Sequence, residues 1–183
     1  MSGGVVEWWG KRTGLPSLNH TTTQSLHHSN YRMPSPNPMP PELERKLYYD
    51  GITLFNEHEF FEAHEVWEDV WHMAYGLKHY YYQGLIQCTV ALEHYRRSNP
   101  RGVVSLYKSY NEKFVNIPPT FMGLDVTTFL ARMHDVLRPV LEADPVPQRG
   151  EIELDPSLAP KITLKYDPFE TGEAQRYSRP GGV

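Results

Sequence analysis

The sequence predicts an all-α protein, a compact bundle of about five helices with extended or disordered N- and C-terminal arms. Two observations predict this class. Apolar residues recur at helical spacing in five successive segments between residues 41 and 143, and each segment ends at a glycine, a proline or a short polar turn. Outside that region the helical period is lost, and no two neighbouring segments alternate apolar and polar residues as a hairpin would.

The first helix begins at Pro41, a residue favoured in a first helical turn, and two glutamates close behind it complement the helix dipole. Its apolar positions recur about one turn apart, at Leu43, Leu47, Gly51, Leu54 and Phe55. Residues 56–59 interrupt this pattern. A second helix then runs from about residue 59 to residue 73 or 74, and Gly76 can end it.

The third helix spans about residues 78–97 and buries a face made of Tyr81, Gly84, Leu85, Cys88, Ala91, Leu92 and Tyr95. Because glycine costs ~1 kcal/mol inside a helix, Gly84 predicts a close approach between two helices, and we expect the second and third helices to meet there. A turn at residues 99–102 leads to a fourth helix with Val103, Leu106, Tyr107, Tyr110 and Phe114 facing inwards. A fifth helix follows Asp125, a favoured N-cap, and extends to Leu141.

Three regions divide the chain. Residues 1–40 are a polar, proline-rich N-terminal arm, residues 41–143 the helical bundle domain, and residues 144–183 an extended C-terminal tail. The N-terminal arm ends in a run of prolines that disfavours helix, so we expect residues 1–38 to be dispensable for folding. In the tail, residues 161–166 alternate apolar and polar side chains, but the stretch is too isolated to predict a sheet.

Charge and apolar content exclude several classes of protein. A formal net charge of −4 in 183 residues provides no basic footprint for nucleic acid or for an anionic membrane surface. No segment approaches the ~20 apolar residues of a membrane-spanning helix, and the first residues do not resemble a signal peptide. The single cysteine, Cys88, fits a reducing compartment. These features predict a soluble, cytoplasmic protein without nucleic-acid or membrane partners.

The second helix places two polar residues inside its apolar face. His64 and Glu68 are one turn apart, and at ~100° per residue they share a stripe with the aromatic residues Phe60, Trp67 and Trp71. Burying each polar group unpaired would cost ~1–3 kcal/mol, so both need partners. Gln87 and His94 are two turns apart on one face of the third helix, and the short connection before it places Gln87 opposite His64. The predicted site is therefore His64, Glu68, Gln87 and His94, walled by the three aromatic rings.

Three kinds of site fit this pattern. The favoured one is a closed cluster of hydrogen bonds that fixes the register of two helices and needs no cofactor. The second is a pocket for a small organic ligand, walled by the aromatic side chains. The third is a site for a divalent transition metal with His64, Glu68 and His94 as ligands, because helical bundles place imidazole and carboxylate ligands at such spacings.

Recognisable catalytic patterns are absent from the sequence. It contains no Gly-rich phosphate loop, no Gly-x-Ser-x-Gly elbow, no Cys-x-x-Cys pair and no His-Glu-x-x-His pattern. Cys88 lies on the apolar face of its helix, where a thiol packs as a small hydrophobe. Catalytic residues therefore stay unassigned, and the sequence leans against an enzyme.

A longer motif resembles a known family. The motif consists of Phe55-Asn56, Phe60-Phe61-Glu62-Ala63-His64-Glu65, Trp67-Glu68 and Trp71, followed by Gly84-Leu85-Ile86-Gln87, His94, Asn99 and Gly102. It resembles the small helical proteins of the domain-of-unknown-function family DUF309, over roughly residues 45–142. The resemblance implies a compact helical domain in which the helix bearing His64 packs on the helix bearing Gln87. It implies no activity, because the family has no established one.

The sequence thus favours a cytoplasmic binding or structural module with a buried His, Glu and Gln site, whose partner is a small molecule or a protein. Two alternatives from other classes stay open. One is a metal-dependent hydrolase with ligands from two helices. The other is an oligomerisation scaffold, because a Tyr80-Tyr81-Tyr82 run on a helix must expose at least one ring, which leaves a homo-oligomer open.

Overall fold

The computed structural model describes residues 39–153 and 155–178. These residues form six α-helices: α1 (Pro41–Asn56), α2 (Phe60–Trp71), α3 (Gly76–Arg96), α4 (Pro100–Phe114), α5 (Val126–Leu141) and α6 (Glu173–Arg176). A 3₁₀ turn (Pro156–Leu158) and the short antiparallel strands β1 (Thr120–Phe121) and β2 (Leu124–Asp125) complete the fold, which confirms the predicted all-α class. None of the helices formed by these residues is both long and apolar enough to span a bilayer. Residues 1–38, and the expectation that they are dispensable, lie outside the described residues.

Local sequence explains where the helices begin. Asn99 caps α4, since its side-chain oxygen accepts a hydrogen bond from the Gly102 N–H at 3.4 Å. Asp125 caps α5, as the sequence predicts, by accepting from the Thr128 N–H at 3.0 Å. Gly76 opens α3 with a φ of +54°, whereas the sequence pattern placed it at the end of the preceding helix. Glycine has no Cβ to oppose this left-handed backbone, so the chain can turn sharply between α2 and α3.

Acid is expected to weaken the cap of α5. Hydrogen bonds from Lys165 and Thr128 hold the pKa of Asp125 at about 2, below its ordinary value of 3.8. A carboxylate with a depressed folded-state pKa contributes stability above its unfolded pKa and loses it as the pH falls through the folded pKa. The stability difference between the wild type and Asp125→Asn should therefore be constant above pH ~5 and disappear below pH ~2. Urea unfolding at a series of pH values measures this, and a difference that is the same at every pH would contradict it.

Two glycines mark the places where consecutive helices approach closely. A Cβ atom on Gly51 would overlap the indole ring of Trp67, so α1 and α2 meet there. A Cβ atom on Gly84 would lie 2.5 Å from Cε2 of Phe114, which is on α4. Gly84 therefore belongs to the α3–α4 contact, and the prediction that the second and third helices meet across it is wrong. The α3 helix packs on two neighbours, and its glycine lies on the side that receives the bulky phenylalanine ring.

The core is rich in aromatic side chains, and hydroxyl groups of buried tyrosines form hydrogen bonds between different helices and the hairpin turn. The Tyr48 hydroxyl donates to the Met122 carbonyl oxygen at 2.6 Å and lies 2.9 Å from the Tyr81 hydroxyl. Both tyrosines are completely buried, and burial raises the pKa of each. The two neutral hydroxyls thereby connect α1, α3 and the turn between the two strands.

The C-terminal segment is extended and packs on the bundle. Ala159, Ile162, Phe169 and Ala174 are buried in the same apolar core as the helices. The Asn56 side chain accepts a hydrogen bond from the Ile162 N–H at 2.7 Å and donates to its carbonyl oxygen at 2.9 Å. These contacts tie the predicted tail to the helices, so part of the core is supplied by residues that follow the bundle in sequence.

Candidate functional site

His64 and Glu68 lie together on α2, as their spacing predicts. His64 is 5 % exposed, and Phe60 and Trp67 on the same helix are completely buried. The His64 Nδ1 lies 2.6 Å from the Phe61 carbonyl oxygen, which can only accept, so this nitrogen carries a proton. Its Nε2 faces Glu68 Oε2 at 3.8 Å. The imidazole is thus oriented by its own helix, with its second nitrogen directed at the carboxylate.

Glu68 lies between two imidazoles. Its Oε1 is 3.6 Å from Nε2 of His72, one turn further along α2 and exposed to solvent. Within residues 39–153 and 155–178, no group of three or more His, Cys, Asp or Glu side chains is arranged to hold a metal ion. The alternative ligand set of His64, Glu68 and His94 is therefore not assembled there.

Gln87 is half-buried on α3, near the level of His64. At the joined ends of α2 and α3, Nε1 of Trp71 lies 3.1 Å from Nε2 of His79. Because helices rise ~1.5 Å per residue, His64 and Ile86 are about equally far from that point. The Gln87 side-chain oxygen is buried and has no hydrogen-bond partner in the described structure. His64 therefore does not donate to this oxygen, although it is the acceptor that a closed cluster would use.

His94 lies in the last turn of α3, next to the connection to α4. Its Nδ1 is 2.9 Å from Nδ2 of Asn99, and a Cβ atom on Gly102 would lie 2.7 Å from its ring. Burial, followed by the positive charges of Arg97 and Arg149, lowers the pKa of this histidine. A neutral ring can accept the amide proton of Asn99, so His94 serves the α3–α4 turn.

The two indole groups each have their own partner. The Trp67 N–H donates to the Tyr48 carbonyl oxygen at 3.3 Å, across the α1–α2 contact. Trp71 is half-buried and donates to His79, with the two ring centres 5.2 Å apart. The predicted site residues are therefore spread over the α2 face, the end of the α2–α3 pair and the α3–α4 turn.

A buried ion pair outside the predicted site joins α1 to α3. The Glu44 carboxylate contacts the Lys78 ammonium, and the two residues are 4 % and 2 % exposed. The Tyr82 hydroxyl donates to the same carboxylate at 3.2 Å. Lys78 also donates to the Ala174 carbonyl oxygen at 3.1 Å and to Ser178 Oγ at 2.9 Å. The three N–H groups of the ammonium thus have three acceptors.

A shallow cleft adjoins this ion pair. Its cavity volume is about 10 Å³, and its lining residues include Met39, Val70, Met73 and Tyr177. Burial lowers the pKa of Lys78, and the neighbouring Glu44 opposes that shift. An ammonium that is held by three acceptors acts as a structural cation.

A signal for this pair is present in the sequence. Glu44 is one of the two glutamates in the first turn of α1, and it lies one turn before the buried Tyr48 on the same helical face. Lys78 likewise precedes the buried Tyr81 by three residues. A charged residue that shares an apolar face one turn from a buried aromatic residue is a candidate for a buried ion pair.

His64→Ala is expected to lower the free energy of unfolding by about 1–3 kcal/mol, because it removes a buried ring and its hydrogen bond to the Phe61 carbonyl. Glu68→Ala is the matched control. The Glu68 side chain is 27 % exposed and keeps contact with water, so its removal should cost less than ~1 kcal/mol. Urea denaturation compares the two variants. Equal losses would show that the contact between His64 and Glu68, rather than the buried ring, provides the stability.

Comparison with known sequences finds a family model that matches part of the chain. The sequence model of the family described as "Domain of unknown function (DUF309)" matches residues 48–106, a range that contains all of α2 and α3. The chain is also similar to an uncharacterized protein of Aquifex aeolicus (strain VF5), with 27 % identity over 95 residues. That alignment covers 51 % of this chain and 28 % of the relative, so the chain spans less than a third of the relative's length. The family match includes the motif around His64, and the resemblance to the DUF309 family is confirmed over residues 48–106.

Proposed function

We propose that this chain is a protein-binding module, a rigid helical domain whose buried polar side chains hold its shape and whose surface meets the partner. This proposal rests on the contacts of the Lys78 ammonium. Its ammonium is taken up by Glu44, Ala174 and Ser178, which leaves no N–H group for a ligand. Satisfied buried networks of this kind rigidify a fold and fix its register.

The size of the cleft beside Lys78 favours a protein over a small molecule as the partner. Pockets for small organic ligands typically enclose ~300–1,000 Å³. The cavity beside Lys78 has a volume of only about 10 Å³, which is room for about one water molecule. A partner that contacts the outer surface of the helices fits this geometry better than one that enters the domain.

The length of the relative also supports a modular role. The stretch similar to this chain occupies 28 % of the Aquifex aeolicus protein, so the greater part of that relative lies outside the similarity. A segment that recurs within chains of different length is typical of a module that works together with other segments or partners.

Metal analysis tests this function against the metal-dependent alternative. Untagged protein is incubated with Zn²⁺ or Mn²⁺, dialysed and subjected to elemental analysis, with His64→Ala treated in parallel. We expect much less than one metal ion per chain in both proteins. About one ion per chain in the wild type, lost in His64→Ala, would contradict the proposal and favour a metal-dependent hydrolase.

A further inference from the structure

Residues 162–178, here called the C-terminal arm, contact the bundle as a bound peptide contacts its receptor. The side chain of Asn56 holds both polar groups of the Ile162 backbone. Leu164 forms an antiparallel bridge with Leu124, next to a hydrogen bond from the Lys165 N–H to the Gly123 carbonyl oxygen at 2.7 Å. The arm therefore adds to the edge of the β1–β2 hairpin, a geometry that many peptide-binding domains use.

An acidic turn in the arm is recognised by a cation of α1. Arg45 donates to Oδ2 of Asp167 at 2.7 Å and lies 3.4 Å from Oε1 of Glu170. The second oxygen of Asp167, Oδ1, accepts from the backbone N–H groups of Phe169 at 2.8 Å and Glu170 at 3.3 Å. The arm thus shapes its own turn and presents two carboxylates to one guanidinium group, a charge-assisted form of recognition.

An aromatic anchor lies next to the acidic turn. The Phe169 side chain is 9 % exposed, and its ring centre is 5.9 Å from that of Tyr48 and 6.2 Å from that of Tyr49. Beyond it, Lys78 binds the end of the arm through Ser178. Backbone pairing, a charged contact and a buried aromatic ring are the three components by which extended peptides gain affinity and specificity.

The stretch that connects the arm to α5 is mostly irregular and exposed. Residues 142–161 contain four prolines, and the short 3₁₀ turn is their one regular element among those described. Most of their described side chains are exposed. A released arm would find the same groove on a second copy, because identical chains carry identical arms and grooves.

We propose that the groove formed by Arg45, Tyr48, Tyr49, Asn56 and the β1–β2 hairpin is a peptide-binding site, filled in one molecule by the chain's own C-terminal arm. The C-terminal arm of a second copy fills it when two molecules exchange arms. This inference rests on the proposed function as a protein-binding module and names the partner as a second copy of this chain.

Two full-length variants test the groove and the arm separately. Arg45→Ala impairs the groove and retains the arm, whereas Phe169→Ala impairs the arm and retains the groove. An equimolar mixture should form a heterodimer, because the arm of Arg45→Ala fits the groove of Phe169→Ala. Sedimentation velocity should show at least about tenfold more dimer in the mixture than in either variant alone. A mixture that sediments as the sum of its two components overturns the proposal.

A peptide of residues 161–178 tests the groove directly. Labelled with fluorescein, it should bind the Phe169→Ala protein at least about tenfold more tightly than the wild type, whose own arm competes for the groove. The matched control is the same peptide carrying the Phe169→Ala change, which should bind neither protein. Equal binding of the two peptides, or no saturable binding to the folded Phe169→Ala protein, overturns the proposal.

Hydrogen exchange on the wild type keeps the proposal testable if a variant does not fold. Amides of residues 162–178 should exchange as one block, at least about 100-fold faster than those of α3. If the amides of the arm and of α3 exchanged at the same rate, the arm would open only when the whole domain unfolds, and the proposal would be overturned. This outcome differs from the one that would contradict the proposed function, which is about one bound metal ion per chain. If the protein binds no metal and the arm exchanges at the rate of α3, the chain remains a protein-binding module with another partner.

Discussion

Replacing Lys78 by methionine is expected to lower the free energy of unfolding by about 3–5 kcal/mol, because Glu44 would keep a buried negative charge without its cation. The variant also removes the donor to Ala174 and Ser178, which joins the end of the C-terminal arm to α3. Guanidinium denaturation followed by circular dichroism measures the loss. This is among the largest effects that we expect from a single substitution in this protein.

Two further variants show whether the charge or the packing is responsible. Lys46→Met is the matched control, because Lys46 is exposed and pairs with the exposed Asp50, so its loss should cost less than ~1 kcal/mol. In the double variant Glu44→Leu with Lys78→Met, the unpaired charge is gone, and most of the lost stability should return. A loss below ~1 kcal/mol in Lys78→Met, or a double variant no more stable than the single one, would contradict this account.

Trp67→Ala is expected to cost about 3–5 kcal/mol, because the indole is completely buried and fills the contact between α1 and α2. The substitution also leaves the Tyr48 carbonyl without the indole N–H. Tyr80→Ala is the matched control, since that aromatic side chain is 51 % exposed and should cost less than ~1 kcal/mol. Thermal or urea unfolding compares the two. Similar losses at both positions would mean that Trp67 is not the residue that holds these helices together.

Coupling between Gly51 and Trp67 tests the geometry of this contact. In the wild type, Gly51→Ala should lower stability by about 1–3 kcal/mol, despite the ~1 kcal/mol by which alanine favours a helix, because the new methyl group overlaps the indole. In the Trp67→Ala background the overlap is absent, so the same change should raise stability. A double-mutant cycle measures the difference, and equal effects in both backgrounds would contradict the close approach.

Much of the fold could be predicted from local pattern. The five long helices follow from the helical spacing of apolar residues, and the cap at Asp125 follows from one residue type at one position. The contact between His64 and Glu68 was also predictable, because residues four apart on a helix are neighbours whatever the rest of the chain does.

Partners from different elements were harder to predict, because they depend on how each helix is rotated when it packs. Gly84 was correctly identified as a place of close approach, but its neighbour is Phe114 of the fourth helix. Gln87 and His94 share a face of α3, yet the His94 ring contacts Asn99 at the start of α4, and the Gln87 oxygen has no hydrogen-bond partner in the described structure. Sequence spacing specifies the direction of a side chain around its helix, and packing decides which element it meets.

By itself, the sequence determined the all-α class, the positions of the main helices, the His64–Glu68 pair and the resemblance of residues 48–106 to a known family, since each depends on spacing along one segment. Only the tertiary structure decided that Glu44 pairs with Lys78, that Trp67 fits against Gly51 and that the C-terminal arm lies along the bundle. These contacts join residues far apart in the chain. A local pattern can mark a residue as buried, but its partner is selected by packing and by the need to satisfy buried charges.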